Sequence, residues 1–336
     1  MKTVVFRIKG GKNYGWGHVV RMTVLADFIR NKFNNTKINF VVEGSKGVIE
    51  YIRQRGFGVY EIPFDLNSSK EEPWWPFEES VSLIIIDLVR VTDSMAKFLK
   101  SKCAKLVIFG DIRTRYPFAD ILVYPQVLEP HRNEEKIDQI VLKGPEYFIL
   151  DKEYLFFHKK HKRILPQAKS LLICLGGSTH MRDYSKLAQA LLPIEWMFET
   201  IDFIIGFEID IGLEAHLHRS LPKANFIKSE SGLSRRLYES DIAIIAGGFI
   251  KYELAAVGTP GIIVSIVDHQ HELSVMFSAK KAAEYIGLLS ELTAEQIRRS
   301  VTELSSNSSL RTEMSFAGKR LVDCLALERL TPLLIN

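Results

Sequence analysis

The chain reads as an α/β protein of two domains, each built on a mainly parallel sheet, and three features say so. Short apolar, β-branched runs alternate with helical segments through residue 124. The alternation starts again at Ser170. In both halves glycines directly follow a strand and precede a helix, as in a β-loop-α unit.

The first strand, at 3–8, contains Val4-Val5-Phe6-Arg7-Ile8. A loop with four glycines follows, Lys9-Gly10-Gly11-Lys12-Asn13-Tyr14-Gly15-Trp16-Gly17-His18. It runs into a helix over 18–33, whose spacing puts Val20, Val24, Leu25, Phe28 and Ile29 on the apolar face. Further strands are expected at 37–43, 58–62, 82–88, 105–110 and 120–124, with helices near 45–55 and 92–101. Ser82-Leu83-Ile84-Ile85-Ile86-Asp87 is short and apolar throughout, as a parallel strand buried on both faces requires. Residues 64–80 break the rhythm and read as a loop on the active-site side, with Trp74 and Trp75 as an alternative contact surface.

Gly144 to Lys169 holds Pro145, a basic run (His158-Lys159-Lys160-His161-Lys162-Arg163) and Pro166. It marks the boundary, giving domains at 1–150 and 170–336 joined by a solvated linker at 151–169. The second half has expected strands at 170–175, 201–206, 224–228, 241–246 and 261–266. Two closing helices are expected near 293–303 and 309–326, with apolar spacing at Leu321, Cys324, Leu325 and Leu327. A ligand is expected in a cleft between the carboxyl edges of the two sheets.

Bulk composition narrows the function. The 336 residues are 46% hydrophobic and 25% charged, enough for full cores. The net charge of +4 is spread out, which argues against nucleic acid and suits a small anionic ligand. No run approaches the roughly 18 apolar residues of a membrane span. Met1 leads straight into a strand without a signal-peptide layout, so a cytoplasmic protein is expected. Cys103, Cys174 and Cys324 show no paired spacing and read as reduced core residues.

The glycine loops carry the chemistry. After the first strand, backbone N–H groups and a helix N-terminus face the ligand edge of the sheet, where an anionic sugar nucleotide can bind. Gly15-x-Gly17 is not a dinucleotide fingerprint, because Val20 stands where the third glycine belongs. His18 is the titratable group at that edge; a lone histidine there is more often a cap, and the other motifs are what lift it to a candidate base. Gly176-Gly177-Ser178-Thr179 closes another strand and suits either a phosphate contact or a tight turn. Ala246-Gly247-Gly248-Phe249-Ile250-Lys251-Tyr252-Glu253 again follows a strand, and the Glu253 carboxylate is placed to accept both ribose hydroxyls. Asp268-His269-Gln270 occupies the next strand-to-helix junction. His269 with His271, and His216 with His218, diverge on a helix and lack further ligands, so neither a metal nor another cofactor is expected.

Together these motifs resemble the UDP-sugar hydrolase family of pseudaminic acid biosynthesis and its spore-coat polysaccharide relatives. These sit within the GT-B superfamily, beside the transferase that makes lipid-linked peptidoglycan precursor. Gly15-Trp16-Gly17-His18-x-x-Arg21 resembles the family's Gly-x-Gly-His-x-x-Arg signature. Asp111-Ile112-Arg113 with Ala119-Asp120-Ile121-Leu122, and Gly144-Pro145-Glu146-Tyr147-Phe148-Ile149-Leu150, resemble the end of its first domain and its linker. Two positions depart: His269 stands for an asparagine, and Gly110-Asp111 for paired aspartates.

The resemblance implies a GT-B fold and cleavage of a UDP-linked amino-deoxy sugar by water at the anomeric carbon, without metal. His18 is then the general base, a role suited to imidazole near neutral pH. Gly15, Gly17, Arg21, Gly176, Gly177, Ser178, Gly247, Gly248, Glu253, Asp268, His269 and Gln270 are the substrate-binding candidates, with Arg21 orienting the loop or touching phosphate. Two alternatives stay open: a glycosyltransferase of the same fold, and an inactive nucleotide-sugar binder.

Overall fold

The computed structural model describes residues 2–11, 14–63, 74–110, 114, 116–127, 139–176, 181–205, 213–228 and 233–335. Two parallel sheets organise the chain. The first contains β1 (Lys2–Gly10), β2 (Thr36–Gly44), β3 (Gly58–Ile62), β4 (Val81–Asp87), β5 (Cys103–Phe109), β6 (Ile121–Tyr124) and β7 (Ile140–Lys143), in the order β3-β2-β1-β4-β5-β6-β7. The helices α1 (Gly17–Lys32), α2 (Lys46–Gln54) and α3 (Asp93–Ser101) make crossovers between strands. The strand order reverses between β1 and β4, and such a switch point opens a crevice at the strands' carboxyl ends.

Alternation on β1 divides the core. Val4, Phe6 and Ile8 face α1 and α2, with Phe6 stacked on Phe40 at 4.8 Å. Val5 faces the opposite layer, with Ile84 and Leu99. The face of α1 differs from the expected one: Val19, Met22, Leu25, Ala26 and Ile29 are buried, whereas Val20 is exposed. Trp75 packs edge-on to Phe77 and Phe98 rather than forming an open surface with exposed Trp74. The rest of the expected loop, 64–73, lies outside the described residues.

The second sheet contains β8 (Ser170–Cys174), β9 (Thr200–Ile205), β10 (Ala224–Lys228), β11 (Ile242–Ala246), β12 (Gly261–Ser265) and β13 (Glu284–Leu288), in the order β10-β9-β8-β11-β12-β13. Its switch point lies between β8 and β11. Around it are α4 (Lys152–His158), α5 (Met181–Leu191), α6 (Leu213–Ser220), α7 (Leu233–Glu239), α8 (Ile250–Val257), α9 (His269–Ser278), α10 (Ala294–Ser306) and α11 (Ser308–Leu321). The last helix is α12 (Ala326–Ile335).

Two compact units result, residues 1–150 with 325–336, and residues 151–324. This division differs from the expected one at two places. Residues 151–169 are not a solvated linker: Arg311 of α11 donates to the carbonyls of Leu165 (2.8 Å) and Pro166 (2.9 Å). Lys162 is buried, donates to the Ser240 carbonyl at 2.5 Å, and its amine is brought down to about 7 by burial. At the other end, α11 stops at Leu321 and Cys324 adopts a left-handed φ of 62°. The chain then returns to the first unit, where Leu327, Leu330 and Leu334 of α12 join the α1 side of the core. The expected helix over 309–326 is thus broken, because its apolar residues serve two different cores.

Gly10 shows how closely sheet and helix approach. A Cβ there would lie 2.3 Å from Val19 Cγ2 and 3.6 Å from Val48 Cγ2. Gly10→Ala is expected to destabilise the first unit by about 1–3 kcal/mol, the usual cost of overpacking. Urea denaturation checks this; a loss below about 0.5 kcal/mol, as at an ordinary surface site, would contradict the packing.

Candidate active site

In the first unit the loop after β1 closes on itself. Gly11 and Gly15 exchange backbone hydrogen bonds of 3.1 and 2.8 Å, and Gly15 takes a φ of 71° that favours glycine. Gly17 then begins α1 and His18 follows in its first turn. The parallel register sets Ile8 of β1 beside Asp87, the last residue of β4. His18 Nδ1 lies 2.8 Å from Asp87 Oδ1. Arg21 donates through Nε to Asp87 Oδ2 at 2.5 Å and through a terminal nitrogen to Oδ1.

Charge explains the arrangement. Asp87 is fully buried, and burial alone would push its carboxyl up; the neighbouring Arg21 and His18 outweigh this and hold it at about 2. An ionised carboxylate only accepts hydrogen bonds, so His18 must donate through Nδ1. The ring's other nitrogen, Nε2, is then the one able to accept a proton. Arg21 is buried and directs two of its nitrogens at Asp87. Asp87 was not among the residues expected from sequence, although an acid ending an apolar strand beside the glycine loop was its signal.

In the second unit, β11 leads into Gly247, Gly248 and α8. Gly247 donates its N–H to the Val264 carbonyl at 2.9 Å, so that group is spent within the sheet and is not available to a phosphate. The expectation that both glycines offer N–H groups is corrected to Gly248 and the first turn of α8. Gly247 is needed for packing, since a Cβ would lie 2.4 Å from Ser274 Oγ and 3.0 Å from Gln270 Cβ. Gly248 faces open space apart from Gln270 Nε2.

Glu253, one turn into α8, is half-buried and accepts a hydrogen bond from the Tyr154 hydroxyl of α4. Burial raises the Glu253 carboxyl above its ordinary range, against the lowering effect of that bond. Burial and the Glu253 charge push the Tyr154 hydroxyl well up, which keeps it a donor. One carboxylate oxygen is thereby fixed, and Oε1 has no partner among the described residues. Tyr154 carries no local signal in the sequence, because it lies in the segment read there as a linker.

Gln270 accepts from the Ile266 N–H at 3.0 Å, which brings its amide nitrogen toward Gly248. Asp268 and His269, at the start of α9, are exposed, and Asp268 makes no side-chain cap. Gly176 follows β8 with a φ of 91° and nothing within 4 Å of a Cβ position. Gly177 and Ser178 lie outside the described residues, as do Asp111, Ile112 and Arg113. The structure therefore brings His18, Arg21, Gly15 and Gly17 together in one unit. It gathers Gly247, Gly248, Glu253 and Gln270 in the other. His271 is bonded to the Tyr285 hydroxyl at 2.8 Å, and His218 packs on the Phe226 ring. No group of three or more potential metal ligands occurs among the described residues. Cys103, Cys174 and Cys324 are all buried.

No family model matches the chain. The spore coat polysaccharide biosynthesis protein SpsG of Bacillus subtilis is 23% identical over 339 residues, covering 97% of this chain and 95% of that protein. An uncharacterized protein of Methanocaldococcus jannaschii is 27% identical over 278 residues, 79% of this chain; the match spans only 55% of that relative's length. Among solved structures, MurG of Acinetobacter baumannii superposes with a TM-score of 0.64 at 14% identity, covering 99% of each chain. UDP-GlcNAc 2-epimerase of Neisseria meningitidis, bound to UDP-GlcNAc, gives 0.59 at 12% identity over 100% of both chains. The calicheamicin glycosyltransferase CalG4 gives 0.63 at 12% identity, over 99% of this chain and 97% of its own. The fold is GT-B, two Rossmann-like domains with parallel sheets.

The charge cluster predicts an acid-sensitive stability. A carboxyl held near 2 stabilises the folded chain above the unfolded value of about 3.9, and the benefit is lost as pH falls between these limits. The loss is on the order of 2 kcal/mol. Asp87→Asn is expected to lack this acid-dependent component; an unchanged slope of stability against pH below about 4 would contradict it.

Proposed function

We propose that the chain is an enzyme acting on a UDP-linked sugar in polysaccharide or nonulosonic acid biosynthesis, and that its acceptor is water. The observation that carries this reading is the His18–Asp87 pair, a base with a fixed tautomer at a switch point. The glycine turn, Glu253 and Gln270 of the second unit add a set suited to a nucleoside diphosphate. The name of the SpsG relative supports polysaccharide biosynthesis, and the structural neighbour bound to UDP-GlcNAc supports the substrate class.

In the proposed reaction His18 Nε2 takes a proton from water as the water oxygen bonds to the anomeric carbon. The bond from that carbon to the diphosphate oxygen breaks, and its electron pair leaves with UDP. Asp87 stabilises the imidazolium that forms, and Arg21 keeps Asp87 ionised and in place. The Gly248 N–H and the N-terminal end of α8 favour the charge gathering on the leaving group. Glu253 Oε1 is the oxygen left to accept from the ribose.

Transfer to a hydroxyl acceptor is the second reading, favoured by the superposition on the glycosyltransferase CalG4. Incubation with UDP-sugars and no acceptor separates the two. Hydrolysis gives UDP and free sugar in equal amounts, whereas silence favours transfer, and tight binding without any turnover favours an inactive binder. His18→Ala is expected to cut turnover by about 10² to 10⁴ while leaving UDP affinity within a few-fold. Retention of more than about a tenth of the activity would remove His18 from its role.

Glu253→Gln tests the ribose contact. It keeps the shape but loses a charge-assisted bond, so UDP affinity is expected to fall by about one decade or more. The loss should be much smaller for 2′-deoxy-UDP. Equal losses for both nucleotides would mean that Glu253 acts elsewhere.

A further inference from the structure

The second unit buries an amine that the proposed reaction does not use. Lys251, in the first turn of α8, is 2% exposed, and its Nζ donates to the Gly247 carbonyl at 2.7 Å. The rings of Tyr252 and Phe277 lie 5.6 and 5.9 Å from it. No carboxylate faces it among the described residues. Glu253 on the same helix is tied to Tyr154, and His158 of α4 bonds the Ala256 carbonyl. On α7, Arg235 pairs with Glu239. On α11, Lys319 and one terminal nitrogen of Arg311 donate to carbonyls of residues 158–166. His271 and Glu272 of α9 are exposed, and α9 turns Ser274 and Phe277 inward.

The position is costly for a cation. A helix N-terminus carries partial positive charge, so it repels an ammonium ion and attracts an anion. A second observation points to the same missing partner. Ser265 Oγ is fully buried without a hydrogen-bond partner among the described residues, 3.3 Å from where a Cβ of Gly247 would stand. Among the described residues the turn thus joins an unpartnered hydroxyl and an amine without a counter-charge.

We propose that Lys251 is the counter-cation of the nucleoside diphosphate site: a diphosphate bound at the Gly248 turn fixes its Nζ as ammonium, with uptake of a proton from solvent. Lys251 acts through the Gly247 carbonyl and its field, without touching the ligand, so it is a positioning residue. The proposal rests on the UDP reading above. Burial brings the amine down to about 7, so near neutral pH it has a proton to gain. The linkage follows in sign. An anion that favours the charged amine binds best where the proton is already present, and more weakly as pH rises through that range.

The experiment is UDP binding to the full chain by calorimetry, between about pH 7.5 and 9, where a terminal phosphate, titrating near 6, is already ionised. In two buffers of different ionisation enthalpy, the wild type is expected to take up a large fraction of one proton per UDP. Its affinity should fall about tenfold over that range, because binding that takes up a proton weakens as protons become scarce. Lys251→Met, or Lys251→Thr should the first fail to fold, is expected to bind UDP with no uptake and less than about a twofold change across the same range. UDP binding without proton uptake in the wild type, or with the same uptake in the variants, overturns the proposal and leaves the UDP reading standing. No binding of UDP to the wild type overturns both.

Discussion

The buried carboxylate of Asp87 is the constraint on which the first unit's chemistry depends. Removing such a charge from water costs several kcal/mol unless partners satisfy it. Here the partners arrive from α1 at positions three residues apart, on one helix face. One is the guanidinium of Arg21; the other is the imidazole of His18. The same bonds that make the carboxylate tolerable fix the histidine's tautomer, so stability and chemical competence share one origin. The parallel pairing of β1 with β4 brings these groups to one place, and Gly10 lets α1 lie close enough to reach Asp87.

The second unit repeats the architecture with a different division of labour. Its glycine turn also sits at a switch point, between β8 and β11, but it supplies donors rather than a base. Gly247 is consumed by packing and by the sheet, which leaves the half-buried Gly248 at the head of α8. Glu253 is held by a tyrosine from α4, and Gln270 is held by the backbone it braces. Each of these side chains has one atom fixed by the protein and a second polar atom without a partner among the described residues.

Much of the fold was legible in the sequence, because buried parallel strands are continuous apolar runs. Ile84 to Ile86 and Ile242 to Ile245 could hardly be anything else. The strands that escaped, Ile140–Lys143 and Glu284–Leu288, are edge strands with mixed composition, and the second carries Gly287 at a φ of 128°. The final helices run together in the sequence because Leu321 to Leu327 keeps an apolar spacing across a break. At the site, His18 and the Gly247-Gly248 turn stood out as local motifs. Asp87 and Tyr154 did not, since their roles come from pairing across 69 and 99 residues.

Whether His18 and Asp87 act as one unit decides the account, and a double-mutant cycle in kcat/KM with a UDP-sugar measures it. Residues that act only through each other are strongly non-additive. Asp87→Asn is expected to reduce kcat/KM by about 10² or more in the wild type, and by less than about threefold once His18 is alanine. An equal loss in both backgrounds would contradict the account, because Asp87 would then serve catalysis by a route that does not pass through His18.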